Sequence, residues 1–247
     1  MKNIVVFITP RKEFYGEYTV LTRILIDNSL DLGWKPDDIL IVTNFNYEYN
    51  GVRAVTVGDD NFCACRPRSI KTSIIPYLID TGIVESDKIY WQHDLDAYQV
   101  NPMTPKELCM DGFDAGFTDY GWRSRWCLGS YFFKDTAKDI FTWMRDDIFN
   151  NIEDETSLGN FTTDNINDIN TRIKKFNITY QIGQRNIRYN YRKAKKPIKV
   201  LHFHFHKPGL LDKFMYGQNE MNIPLMTDRL IKVFHYHGVK DRNYLKG

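Results

Sequence analysis

Residues Lys2 to Thr9 form an unbroken, largely β-branched run that stops at Pro10. A strand with one face in water alternates apolar and polar residues, whereas a run without alternation must be covered on both faces, as the strands of parallel sheets are. This restricts the chain to architectures in which helices layer both sides of a sheet. Phe14 to Leu30 supplies the first such helix, with Tyr18, Leu21, Ile24 and Leu25 at helical spacing and Gly33 and Pro36 beyond its end. Strands at Asp38 to Thr43 and Arg53 to Val57 follow, the second bounded by Asn50-Gly51 and Gly58-Asp59. The β-α-β-β opening predicts an α/β fold with a mixed, mostly parallel sheet and a Rossmann-like N-terminal half.

The 247 residues, 43% hydrophobic and 15% aromatic, are enough for one domain with a sizeable core, and no repeat or low-complexity linker divides them. The expectation is a single domain over 1–247: residues 1–100 bind a ligand, 101–210 form the other half of the site, and 211–247 are a C-terminal extension. Lys plus Arg number 33 against 31 Asp plus Glu, and a net charge of +2 marks neither a nucleic-acid nor a membrane partner by itself. The apolar run Ile4 to Ile8 is far too short to span a bilayer, and no signal peptide precedes it, so the chain reads as soluble and cytoplasmic. Cys63, Cys65, Cys109 and Cys127 are too unevenly spaced for a disulfide framework and read as reduced thiols.

Further along, Ser69 to Leu78 reads as a helix with Pro76 as an irregularity, and Lys88 to Gln92 as another buried strand. That strand runs into His93-Asp94-Leu95-Asp96. Ligands of α/β sheets sit beyond the carboxyl ends of the strands, so these aspartates stand where chemistry is usually found. Two residues apart on an extended backbone, both carboxylates share a face and can converge on one hard cation; the alternative is a solvated turn. Strands at Phe113 to Thr118 and Cys127 to Phe133, a helix over Asp135 to Asn150, an acidic stretch Asn150 to Asp168, a strand Ile198 to Phe205 and a helix around Met226 to Phe234 complete the reading.

On that last strand His202, His204 and His206 recur at period two, so their imidazoles share one face, either as ligands or as buried groups bonded to backbone. Arg185 to Lys199 holds seven cations and no acid, with Tyr189 and Tyr191 between them, suited to a phosphate-rich ligand or to a solvated surface. Thr9 and Arg11 after the first strand, and Arg68 and Lys71 before the Asp94 strand, are placed to neutralise a diphosphate. Asp164 reads as the start of a helix, as an N-cap or as a general base.

Ile89 to Asp96, preceded by a Lys-bearing helix, resembles the DxD strand of nucleotide-sugar glycosyltransferases of the GT-A fold. Trp126 to Phe133 is similar to that family's small-residue acceptor-side strand, and Val200 to Phe203 followed by Lys207-Pro208 to its metal-ligand histidine and phosphate-binding lysine. The resemblance implies a GT-A-like domain in which Asp96 coordinates Mn²⁺ or Mg²⁺ and Asp94 touches the metal or the ribose. It implies that His202 closes the coordination, with His204 or His206 as alternatives, and that Lys207 meets the diphosphate of a nucleotide-sugar donor, a UDP-sugar. The family has an aromatic after Lys-Pro where this chain has Gly209. The Asn-, Tyr- and Ile-rich chain also looks like bacteriophage or large-virus proteins, whose glycosyltransferases include enzymes that decorate hydroxymethylated bases. The acceptor is then either DNA or a glycan. Asp164 is the expected base of an inverting transfer. Two other classes compete: a metal-dependent hydrolase built on the histidine strand with Asp94 and Asp96, and a nucleic-acid-binding module centred on Arg185 to Lys199.

Overall fold

The computed structural model describes residues 1–120, 126–183, 187–203 and 209–240. The first half of the chain forms β1 (Lys2–Phe7), α1 (Glu17–Asp31), β2 (Ile39–Thr43), β3 (Glu48–Tyr49), β4 (Val52–Arg53), β5 (Val55–Thr56), α2 (Ile70–Ser73), α3 (Ile75–Asp80), β6 (Tyr90–His93), β7 (Ala97–Gln99), α4 (Pro105–Leu108) and β8 (Ala115–Asp119). The second half forms β9 (Trp126–Phe133), α5 (Lys138–Phe149), α6 (Asp154–Thr163), α7 (Ile169–Arg172), β10 (Ile173–Phe176), β11 (Ile182–Gly183), α8 (Ile187–Lys193), β12 (Val200–His202), α9 (Leu210–Met215) and α10 (Asp228–Tyr236).

The main sheet has seven strands in the order β10-β8-β9-β6-β1-β2-β5. β1 pairs in parallel with β2 and β6, β2 with β5, and β10 with β8, while β9 runs antiparallel between β6 and β8. Ile4 and Val42 pack with Ile74, Leu78 and Phe141 on the side of α3 and α5. Their neighbours Val5 and Ile41 pack with Leu25, Phe203 and Phe234 on the side of α1 and α10. Successive strand residues point to opposite faces, so burial on both faces is what removes the alternation from the sequence. The α/β class and the mostly parallel sheet are as the first strand predicts.

Several element boundaries differ from the sequence reading, each for a local reason. The helix expected over Ser69 to Leu78 is two pieces, α2 and α3, because Pro76 lacks an N–H to continue the ladder. The strand expected over Arg53 to Val57 is split, and Asn50-Gly51, with φ of 48° and 76°, turns β3 back onto β4 as a hairpin. The acidic stretch holds α6, so Asp164 caps the end of a helix and does not begin one. The strand expected to reach Phe205 is described only as the three residues of β12; His204, His206 and Lys207 lie outside the described residues.

A second sheet, β11-β12-β7, positions the site. β12 runs antiparallel to β7 with His202 opposite Ala97, and parallel to β11 with His202 opposite Gly183. The Phe203 N–H donates to the Asp96 carbonyl at 3.1 Å, continuing this pairing into the loop after β6. Beneath it lies His93, buried, its ring stacked on Trp91 with centroids 3.9 Å apart. Its nitrogens meet Asn3 Oδ1 at 2.7 Å and the Asp94 carbonyl at 3.0 Å.

Burial pushes the His93 pKa down to about 4, against the pull of the Asp94 carbonyl and carboxylate. An unfolded chain takes up this proton near pH 6.5, and the fold only near 4, so this group withdraws stability as pH falls through that window and leaves it intact above. The full loss is on the order of 3 kcal/mol. Urea denaturation at pH 7 and pH 4.5 should therefore show a smaller acid loss in His93→Asn than in the wild type. An equal loss in both would show that His93 does not titrate differently in the fold.

Candidate metal and donor site

Asp94 leaves the carboxyl end of β6 and its N–H donates to the Gly129 carbonyl on β9 at 2.9 Å. The Ala97 N–H then donates back to the Asp94 carbonyl at 3.0 Å, closing a four-residue turn. The two aspartates thus sit on a turn between β6 and β7 and not on the extended backbone their spacing predicts. The turn still brings their carboxylates together, and the β7–β12 pairing adds the third group. His202 Nε2 stands 3.1 Å from Asp96 Oδ1 and 3.6 Å from Asp94 Oδ2. One ligand atom from each of Asp94, Asp96 and His202 lies within 4.8 Å of the others, so the three could hold a metal ion. Burial alone would keep the imidazole neutral, but Asp96 and then Asp94 outweigh it and raise its pKa well above the usual histidine value.

Gly129 makes the room. A Cβ there would stand 2.3 Å from His202 Cε1 and 2.8 Å from Gln181 Nε2, so any side chain would expel the imidazole from its place. This is the physical content of the small-residue strand read from the sequence.

Lys71, on α2, ties the Asp94–Asp96–His202 group to a second acidic pair. Its Nζ is 2.5 Å from Asp94 Oδ1. Burial works against its charge, yet Asp94 and Asp154 together raise its pKa. Asp154 opens α6, is buried, and accepts from Thr72 Oγ1 at 3.0 Å; burial raises its pKa although Lys71 and Thr72 pull it down. Glu155 beside it accepts from the Leu128 N–H at 3.3 Å and is likewise raised by burial. The sequence reading missed this pair and chose Asp164, which is exposed at the other end of α6, about 15 Å along a helix of this length. The available signal was two acids in the first turn of a helix, where the macrodipole favours them.

The other anticipated residues lie around the carboxyl end of β1. Thr9 is buried and exchanges backbone hydrogen bonds with the Asn44 side chain, at 3.0 and 2.9 Å. Arg11 is exposed with its guanidinium 4.2 Å from the centre of the Tyr15 ring. Phe7, Phe14 and Tyr18 gather there, with ring centroids 4.8 and 4.9 Å from Phe7. Burial, then Tyr15, Glu17 and Asp96, raise the Tyr18 phenol while Arg68 opposes them, which sets Tyr18 within electrostatic reach of both Asp96 and Arg68. The basic stretch is helical over α8; Lys196 caps the Tyr191 ring at 3.2 Å, and Lys199 is held by the Pro102 carbonyl and Glu107. A cleft of about 800 Å³ opens beside it, lined among others by Tyr120, Lys175, Tyr189, Lys193, Lys195 and Lys196.

No protein-family model matches the sequence, and no curated protein matches it. Solved structures do. The galactosyltransferase LgtC, crystallised with donor and acceptor sugar analogues, superposes at a TM-score of 0.61 with 12% identity over 96% of each chain. A glycosyltransferase involved in glycosylation of the major capsid of PBCV-1 superposes at 0.51 with 13% identity, over 82% of this chain and 93% of that one. The chain has the GT-A fold. In this GT-A fold the Asp94 turn, β12 and the start of α6 meet at one end of the central strands. Among the described residues no helix is long and apolar enough to cross a membrane.

The Lys71 bridge predicts a measurable asymmetry. Lys71→Met leaves Asp94 and buried Asp154 without their shared cation and should cost about 3 kcal/mol at pH 7. Asp154 has a raised pKa, so lowering the pH neutralises it first and the penalty should shrink. Guanidinium denaturation of the variant at pH 7 and pH 5 reads both effects, and a penalty independent of pH would contradict the bridge.

Proposed function

We propose that this protein is a metal-dependent glycosyltransferase that moves a sugar from a UDP-sugar to an acceptor hydroxyl. The observation that carries this reading is the convergence of Asp94, Asp96 and His202 at the end of β6 in a GT-A fold. Two carboxylates and one imidazole suit Mn²⁺ or Mg²⁺ better than a thiolate-seeking ion. The space left by Gly129, filled by the imidazole, supports the fit. When bound, the ion compensates the charge of the departing nucleoside diphosphate. Arg11, Arg68 and Lys71, and by its place in the sequence Lys207, would neutralise the phosphates, Thr9 would border them, and the Phe7, Phe14 and Tyr18 rings would offer faces for the nucleobase.

An inverting transfer needs a carboxylate to take the acceptor proton. Glu155, raised in pKa and held beside β9, is better situated for this than Asp164. For the acceptor we favour a hydroxymethylated base in DNA, in keeping with a virus-type composition, because Lys193, Lys195 and the half-exposed Tyr189 line the cleft at α8. Cations interleaved with aromatic faces are what a nucleic-acid strand requires.

Release of UDP from UDP-sugars, measured with Mn²⁺, should require both the metal and an acceptor. It should stop in EDTA and in Asp96→Ala, with the melting temperature of that variant near the wild-type value. Undiminished turnover in chelator would refute metal dependence, and zinc-dependent cleavage without acceptor would favour the hydrolase. Binding to hydroxymethylcytosine duplex should weaken with salt, and the double variant Lys193→Glu, Lys195→Glu should reduce the slope by up to about one unit per lost contact. Transfer to a neutral glycan with no duplex binding at low salt would replace DNA as the acceptor.

A further inference from the structure

Gln181 enters none of the steps above, yet it is wholly buried against the ring that closes the metal group. Its amide Nε2 lies 2.5 Å from His202 Nδ1, 3.1 Å from Cys127 Sγ and 3.4 Å from Tyr120 Oη. An amide nitrogen has two hydrogens and an amide oxygen two lone pairs for these three neighbours, so their number does not decide which end faces the ring. The other end of the amide, Oε1, has no hydrogen-bond partner among the described residues, so the far side does not decide which end faces the ring. Turning the amide about its last bond exchanges oxygen and nitrogen without moving the rest of the side chain.

The ring decides it. His202 Nε2 faces Asp96 and Asp94, so it is the nitrogen that would meet a cation. A nitrogen that gives its lone pair to a metal carries no hydrogen, and the hydrogen of the neutral ring then sits on Nδ1. An Nδ1–H buried beside Gly129 needs an acceptor, and a carbonyl oxygen is a stronger one than the Cys127 sulfur. We infer that Gln181 presents Oε1 to His202 Nδ1–H and so fixes the tautomer that aims the Nε2 lone pair at the metal, making Gln181 a positioning residue outside the ligand set. The packing around Gly129 keeps ring and amide in register, since neither can move toward β9 once a Cβ-sized space there is filled by the imidazole.

This inference rests on reading Asp94, Asp96 and His202 as a metal group, and its test separates the two. Mn²⁺ binding is measured on the full chain by electron paramagnetic resonance, without donor or acceptor. Gln181→Leu, which removes the acceptor, should weaken Mn²⁺ binding by about 10- to 100-fold. Gln181→Glu, which can only accept, should bind within threefold of wild type or more tightly. Long-range ¹H–¹⁵N spectra of the Mg²⁺-loaded wild type should place the His202 ring hydrogen on Nδ1. If Gln181→Leu binds within twofold of wild type while Asp96→Ala does not bind, Gln181 has no positioning role and the metal group stands. If folded wild type binds no Mn²⁺, the metal reading fails and takes this inference with it. Should the leucine variant not fold, the glutamate variant decides alone, and a tenfold loss in it would overturn the inference.

Discussion

The antiparallel pairing of β7 with β12 is the contact on which the candidate site depends. It is short, three residues against three, but it opposes His202 to Ala97, one position after Asp96. Side chains alternate between faces along a strand, so a slip of one residue would turn His202 away from the aspartates and bring a neighbour with no metal-binding group in its place. What holds the register is burial on the opposite side. Tyr98 stacks on Phe203, and Phe203 packs at a tilt against Phe214, inside the core that also covers α1. The apolar face of this small sheet thus sets the geometry of its polar face.

Charge in the site is arranged as a chain of shared partners. Asp96 faces His202, His202 also faces Asp94, Asp94 holds Lys71, and Lys71 reaches Asp154 electrostatically. Each carboxylate is less than one-third exposed, where an unpaired charge would be costly and a paired one is tolerated. The arrangement leaves an excess of negative charge at the Asp94–Asp96 turn, since His202 is neutral whenever its Nε2 serves as a ligand. That excess is what a divalent cation would offset.

How much of this was legible in the sequence follows from how local each signal is. β1 and β2 could be read because two-sided burial shows in the residues themselves, and the Asp94–Asp96 pair because it directly follows such a strand. β7, β11 and β12 are too short to show a period; they exist because they pair with one another across long stretches of chain. His202 stood out only as one of three histidines, and nothing in its spacing singles it out from His204. Asp154 and Glu155 were hidden in a stretch read only as acidic, with a helix expected to begin at Asp164, although α6 buries Leu158 and ties Thr162 to Trp126. Gln181 carries no sequence signal at all, because an isolated glutamine acquires meaning only from the ring it touches.

The order in which the strands are used has a consequence for synthesis. The seven-stranded sheet is complete once Phe176 of β10 has emerged, and by then Asp94, Asp96, Lys71 and Asp154 are all present. The histidine arrives only afterwards, roughly a hundred residues beyond the aspartates it joins. A domain generally folds as a unit. A nascent chain arrested after β10 would carry every strand of the central sheet and both aspartates but lack Phe203 and Phe234, which cover one face of β1 and β2, so the cover of that sheet and the histidine of the site are supplied by the same late stretch of chain.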